Sequence, residues 1–159
     1  MSDYRKVKVT NLTTGQFLGY LGRNPKLYAA LEYGAGEITW TFKESEVKNI
    51  GFAPGYKKPT SAEDWAREGY GYLALKNTIH DIQSYNGEQL WLLCDGLDDW
   101  ATWSWTSSYT RLKWNENHTV TAMPEGDLML YVGKCPETPG SYLRLGKATN
   151  PSVVRLDFE

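Results

Sequence analysis

The sequence predicts an all-β fold assembled from three similar units. Two observations predict it. Short apolar runs of about four to six residues, each bounded by Gly, Pro, Asn or Asp, recur along the chain. Three kinds of strand also return in the same order at near-constant spacing. A chain of 159 residues is long enough to bury a sizeable core as a single domain over 1–159.

The elements follow in chain order. Val7-Lys8-Val9-Thr10 alternates apolar with polar, Thr13-Thr14-Gly15 turns, and Phe17 to Leu21 returns, so residues 7 to 21 form a hairpin. Further strands are expected at Leu27 to Leu31, Thr39 to Phe42, Tyr72 to Leu75, Leu90 to Leu93, Thr102 to Trp105, Leu128 to Val132 and Tyr142 to Leu145. One segment departs from this pattern. Ser61 is an N-cap with the acidic Asp64 three positions on, and Gly69 is a stop, so a short helix is expected near 61–68. Pro54, Gly55 and Pro59 mark the loop that leads into it.

The repeat rests on three anchors. The first is Phe17 to Tyr20, Tyr72 to Leu75 and Leu128 to Tyr131. The second is Leu27 to Leu31, Leu90 to Leu93 and Tyr142 to Leu145. The third is Trp40-Thr41-Phe42, Trp103-Ser104-Trp105 and Leu156-Asp157-Phe158. Leu18 to Leu73 spans 55 residues and Leu73 to Met129 spans 56. Second to third anchor, Tyr28 to Trp40 and Trp91 to Trp103 are each 12, and Leu143 to Leu156 is 13. Three four-strand repeats, roughly 1–45, 46–107 and 108–159, fill the chain. A unit of that size cannot bury its own apolar face, and three copies closing on one another leave few open edges.

Composition excludes several function classes. Lys and Arg number 17 against 19 Asp and Glu, a net charge of −2 that argues against a general nucleic-acid binder. No apolar run approaches the roughly 20 residues of a membrane helix. The opening MSDYRKVKV lacks the apolar core of a signal peptide, so a cytoplasmic protein with two reduced cysteines, Cys94 and Cys135, is expected.

Catalytic constellations are wanting. His80 and Asp81 are adjacent, and neighbours in a strand point to opposite faces. Cys94 lies beside Asp95 rather than a base. No phosphate loop or Gly-x-Ser-x-Gly is present. Asp95-Gly96-Leu97-Asp98-Asp99 lacks the spacing of a calcium loop. The expectation is a non-enzyme with no cofactor and no metal.

Units of this size, each ending in the strand that carries Trp40, Trp103 or Phe158, resemble the β-trefoil of ricin-B-type and fungal fruiting-body lectins. The resemblance implies a β-trefoil fold of three pseudo-symmetric repeats and a cytosolic sugar-binding protein of fungal defence. The Gln of the ricin-type Gln-x-Trp signature is replaced by Ile38, Ala101 and Val154, and the sugar-contacting Asp falls at Gly19, Ala74 and Leu130. Galactose recognition of the ricin type is therefore not implied.

In such a scaffold each unit offers a loop between its second and third anchors. Sugar recognition needs an apolar platform and a few fixed polar groups. Unit two supplies Asp95, Asp98, Asp99 and Trp100, and unit one supplies Tyr33 and Glu37. Unit three, Gly146 to Asn150, has no aromatic. The expected partners are glycans or glycoproteins, with multivalency reached through several repeats or a homodimer. The alternative is a protease inhibitor acting through an exposed loop such as 53–69, which carries Tyr56, Lys57, Lys58 and Trp65.

Overall fold

A computed structural model of the chain describes residues 4–31, 34–41, 61–76, 89–104, 110–122, 128–134 and 140–159. The strands are β1 (Val7–Asn11), β2 (Phe17–Tyr20), β3 (Gly22–Arg23), β4 (Ala29–Ala30), β5 (Ile38–Thr41), β6 (Tyr70–Lys76), β7 (Gln89–Leu93), β8 (Thr102–Ser104), β9 (Leu112–Trp114), β10 (Val120–Ala122), β11 (Leu128–Lys134), β12 (Ser141–Lys147) and β13 (Val154–Phe158). Among the described residues a helix, α1 (Ala62–Arg67), precedes β6. The Ser61 side chain accepts from the Asp64 amide at 3.1 Å, and Gly69 at φ +82° ends the turn.

The protein is all-β, and its pairings run round a ring. β1 lies against β13, with Val7 opposite Phe158 and Val9 opposite Leu156. The Leu156 amide donates to the His118 carbonyl just before β10 at 2.9 Å. β10 pairs β9, with Val120 opposite Trp114. β9 pairs β6, with Leu112 opposite Gly71. β6 pairs β5, with Leu73 opposite Trp40. Ile38 of β5 exchanges two backbone hydrogen bonds with Arg5, at 2.8 and 2.9 Å, and this closes the ring at β1. Closure leaves these strands no free edge.

The ring repeats itself three times in register. Val7, Leu73 and Val120 face Phe158, Trp40 and Trp114. Val9, Leu75 and Ala122 face Leu156, Ile38 and Leu112. Alternation puts all of these side chains on one face of their strands. The first of these two layers is closed by three half-buried rings, with Trp114 at 6.2 Å from Trp40 and 5.7 Å from Phe158. The second layer is fully buried.

The three parts also meet at the opposite end. The Ala29 amide donates to the Ala101 carbonyl at 3.0 Å, the Ala101 amide to Leu143 at 2.8 Å, and Tyr142 pairs with Ala30. Tyr28, Trp100 and Tyr142 stand at matching places, and their centroids form a triangle with sides of 5.8, 5.9 and 6.1 Å. Tyr28 and Tyr142 are stacked, Tyr28 and Trp100 tilted, and Trp100 and Tyr142 edge-on, all separations at which aromatic rings attract.

The pairings place the second unit one strand later than the sequence anchors do. Tyr72 to Leu75 matches Val7 to Val9, not Phe17 to Tyr20, because it lies against the closing strand of the preceding unit. Leu90 to Leu93 is then a second strand, and Trp103 belongs to a third. The fourth is β9, which the sequence pattern did not single out. A run of Leu-Lys-Trp is too short to register as alternation.

Candidate functional site

The unit-two loop runs from Cys94 to Trp100 and is fastened to β11 and β12. Asp98 has φ +63°, the left-handed region that Asp tolerates better than most residues. Its amide donates to the Leu145 carbonyl at 2.7 Å. Arg144 donates to the Asp98 carbonyl through Nε at 2.9 Å and also through Nη2. The Tyr131 hydroxyl donates to Asp98 Oδ1 at 2.9 Å. Burial, and next the Asp98 carboxylate it faces, push the Tyr131 phenol above its ordinary value. Asp98 thus joins units two and three.

Asp95 and Asp99 are exposed beside it. Trp100 keeps 37% of its surface exposed while packing on Tyr28 and Tyr142. It caps the aromatic triangle and still offers part of its ring to solvent. Cys94, at the root of the loop, is buried. Burial pushes its thiol up to about 12, so it is an inert core group.

Glu37 sits in a different setting. It lines a recess of about 340 Å³ with Gly22, Arg23, Gly34, Gly36, Leu75 and Lys76. The Lys76 amide donates to the Glu37 carbonyl at 2.8 Å, and Lys76 Nζ lies 3.8 Å from Glu37 Oε2. Both side chains are more than half exposed, so the pair is weak and its charges remain open to a ligand. Backbones approach closely here. A Cβ on Gly22 would run into the Gly34 carbonyl, and Gly34 itself has φ +97°. Tyr33 lies outside the described residues, as do His80, Asp81 and Cys135.

The structure does not bring the expected residues into one site. Glu37 belongs to the recess, whereas Asp95, Asp98, Asp99 and Trp100 form a separate ledge. Sequence reasoning missed Arg23 and Lys76 in the recess, and Arg144 and Tyr131 under the ledge. No local signal points to them, because each comes from another strand.

In the 53–69 segment, residues 53 to 60 lie outside the described residues. Trp65 of α1 is completely buried, 6.0 Å from Tyr70 and 6.3 Å from Tyr72. It is a core side chain rather than a contact at the surface.

A second cavity, of about 530 Å³, opens beside α1 at the start of β6 and is lined by residues that include Glu68, Lys113, Trp114, Glu116 and His118. His118 Nδ1 lies 2.5 Å from Asp157 Oδ1, and Arg155 Nε donates to Asp157 Oδ2 at 2.9 Å. Arg155 above all holds the Asp157 carboxyl below its ordinary range; desolvation opposes this, and the His118 contact adds to the lowering. Among the described residues no cluster of His, Cys, Asp and Glu has a metal-binding arrangement, and no helix is long and apolar enough to cross a membrane. Comparisons with protein-family models, with curated proteins and with solved structures give no match.

Proposed function

We propose that this chain is a β-trefoil that binds carbohydrate and carries out no chemistry on it. Two features support the β-trefoil: the ring closed by β1, β5, β6, β9, β10 and β13, and the threefold register within it. In this arrangement the second and third strands of each unit form hairpins, β3–β4, β7–β8 and β11–β12.

The observation that carries the sugar-binding proposal is the recess at Glu37. It offers a carboxylate acceptor, two cationic donors in Arg23 and Lys76, and glycine backbone that a ligand can approach closely. Polar groups of both kinds around a shallow concavity suit a ligand whose hydroxyls both donate and accept. The ledge of Asp95, Asp99 and Trp100 is a second place for a sugar, with the open part of the indole as platform. Two places on one chain would allow cross-linking of glycans, with a homodimer as the other route.

Immobilised glycans tested with the wild-type chain, Glu37→Gln and Trp100→Ala separate the two places. Loss in Glu37→Gln alone puts the sugar in the recess. Loss in Trp100→Ala alone puts it on the ledge. Binding unchanged in both variants contradicts both placements.

A further inference from the structure

We infer, resting on the sugar-binding proposal, that the sugar taken by the Glu37 recess is an acidic one, whose carboxylate is received by the Arg23 guanidinium.

The recess holds more positive charge than negative. Among the described residues that line it, Arg23 and Lys76 face one carboxylate, Glu37. Lys76 Nζ already lies 3.8 Å from Glu37 Oε2. Arg23 has no acidic partner among the described residues. A guanidinium keeps its charge at any ordinary pH, so an anion from outside is what balances it.

Arg23 is held at one nitrogen and open at the others. Its Nη1 donates to the Asn24 carbonyl at 3.3 Å. That carbonyl belongs to a firm turn. Asn24 has no exposed surface, its carbonyl also accepts the Leu27 amide at 3.0 Å, and its Oδ1 accepts the Lys26 and Tyr28 amides at 3.0 and 2.9 Å. Nε and Nη2 of Arg23 make no hydrogen bond among the described residues. These two nitrogens offer parallel N–H groups that match the two oxygens of a carboxylate. The side chain is half-buried and tethered, so less freedom is lost when it binds.

The backbone at 34–35 adds further donors without adding charge. The amides of Gly34 and Ala35 make no backbone hydrogen bond among the described residues. Gly34, at φ +97°, leaves open space where a Cβ would stand. A neutral sugar brings as many donors as acceptors and leaves the Arg23 charge unmet. An acidic sugar meets it, while Glu37 remains the acceptor for hydroxyls on the same ring.

The test uses immobilised glycans in matched pairs. One set carries uronic acids (oligogalacturonate and hyaluronan fragments), and the other is sialylated. Each glycan stands beside the same glycan with its carboxyl reduced to a hydroxymethyl group. The wild-type chain is expected to bind the acid member of at least one set about tenfold or more tighter than its reduced counterpart. The set that responds tells a uronic from a sialic source. Arg23→Gln should remove that preference at unchanged Tm. Arg23→Lys, which keeps the charge but not the fork, should restore only part of it. Added salt should weaken acid binding. Equal binding of acid and reduced glycans by the wild type overturns the inference, and this comparison stands even where Arg23→Gln folds poorly. Undiminished acid binding in a folded Arg23→Gln chain also overturns it. Binding of neutral glycans alone overturns the acidic-sugar inference and leaves the sugar-binding proposal intact, whereas no binding to any glycan by a folded wild-type chain overturns both.

Discussion

The imidazole of His118 rests 2.5 Å from the carboxylate of Asp157, and so ties the turn before β10 to β13. This is the seam at which the last strand of the ring meets the first strand of the third unit, so the pair bears on closure and not only on a surface turn.

The acid side of the stability curve should report that seam. Arg155 and His118 hold the Asp157 carboxyl below its reference value of 3.8. A folded-state value below the unfolded one stabilises the fold above the unfolded value. That stabilisation is lost as pH falls through the folded value. Asp157→Asn should be less stable than wild type near neutrality by about 1 kcal/mol or less, given the partial exposure of the pair. Urea unfolding of both chains over an acid series should show the two curves converging at low pH.

Asp98 should matter to folding through both its backbone and its carboxylate. Asp98→Ala places a Cβ residue without a local polar partner at φ +63° and removes the acceptor of Tyr131. A loss of about 1–2 kcal/mol is expected. Asp98→Asn tolerates the same backbone and keeps an acceptor, so its loss should be smaller. Denaturant midpoints for the two variants give the comparison.

Trp65 provides a test of whether α1 is part of the core. It has no exposed surface and contacts Tyr70 and Tyr72 at the entry to the ring. Trp65→Ala should cost about 3–5 kcal/mol. Thermal unfolding would reveal this as a large fall in Tm. A small fall would mean that α1 is dispensable.

The Cys94 thiol should be silent in the folded chain. It is buried and pushed up to about 12, so thiolate is scarce at neutral pH. In a Cys135→Ser background, labelling by a thiol reagent should be slow without denaturant. It should rise in step with unfolding as urea is added.

Legibility in the sequence followed the range of the interactions. The β1–β2 hairpin and the α1 cap at Ser61 and Asp64 were legible because each is settled within a few residues. The frame of the second unit was not. Tyr72 to Leu75 and Phe17 to Tyr20 are both apolar tetrads after a turn, and only the partner strand distinguishes a first strand from a second. The ledge was visible as a run of carboxylates ending in Trp100. Its fastening was not, because Tyr131 and Arg144 stand 33 and 46 positions from Asp98. The recess was visible only through Glu37, since Arg23 and Lys76 reach it from other strands.

The most direct test of carbohydrate binding is a glycan array probed with labelled wild-type chain beside Glu37→Gln. A defined set of glycans bound by the wild type and lost in Glu37→Gln, with Tm unchanged, is the result expected if the recess is the sugar site. A blank array for a folded wild-type chain would contradict carbohydrate binding altogether.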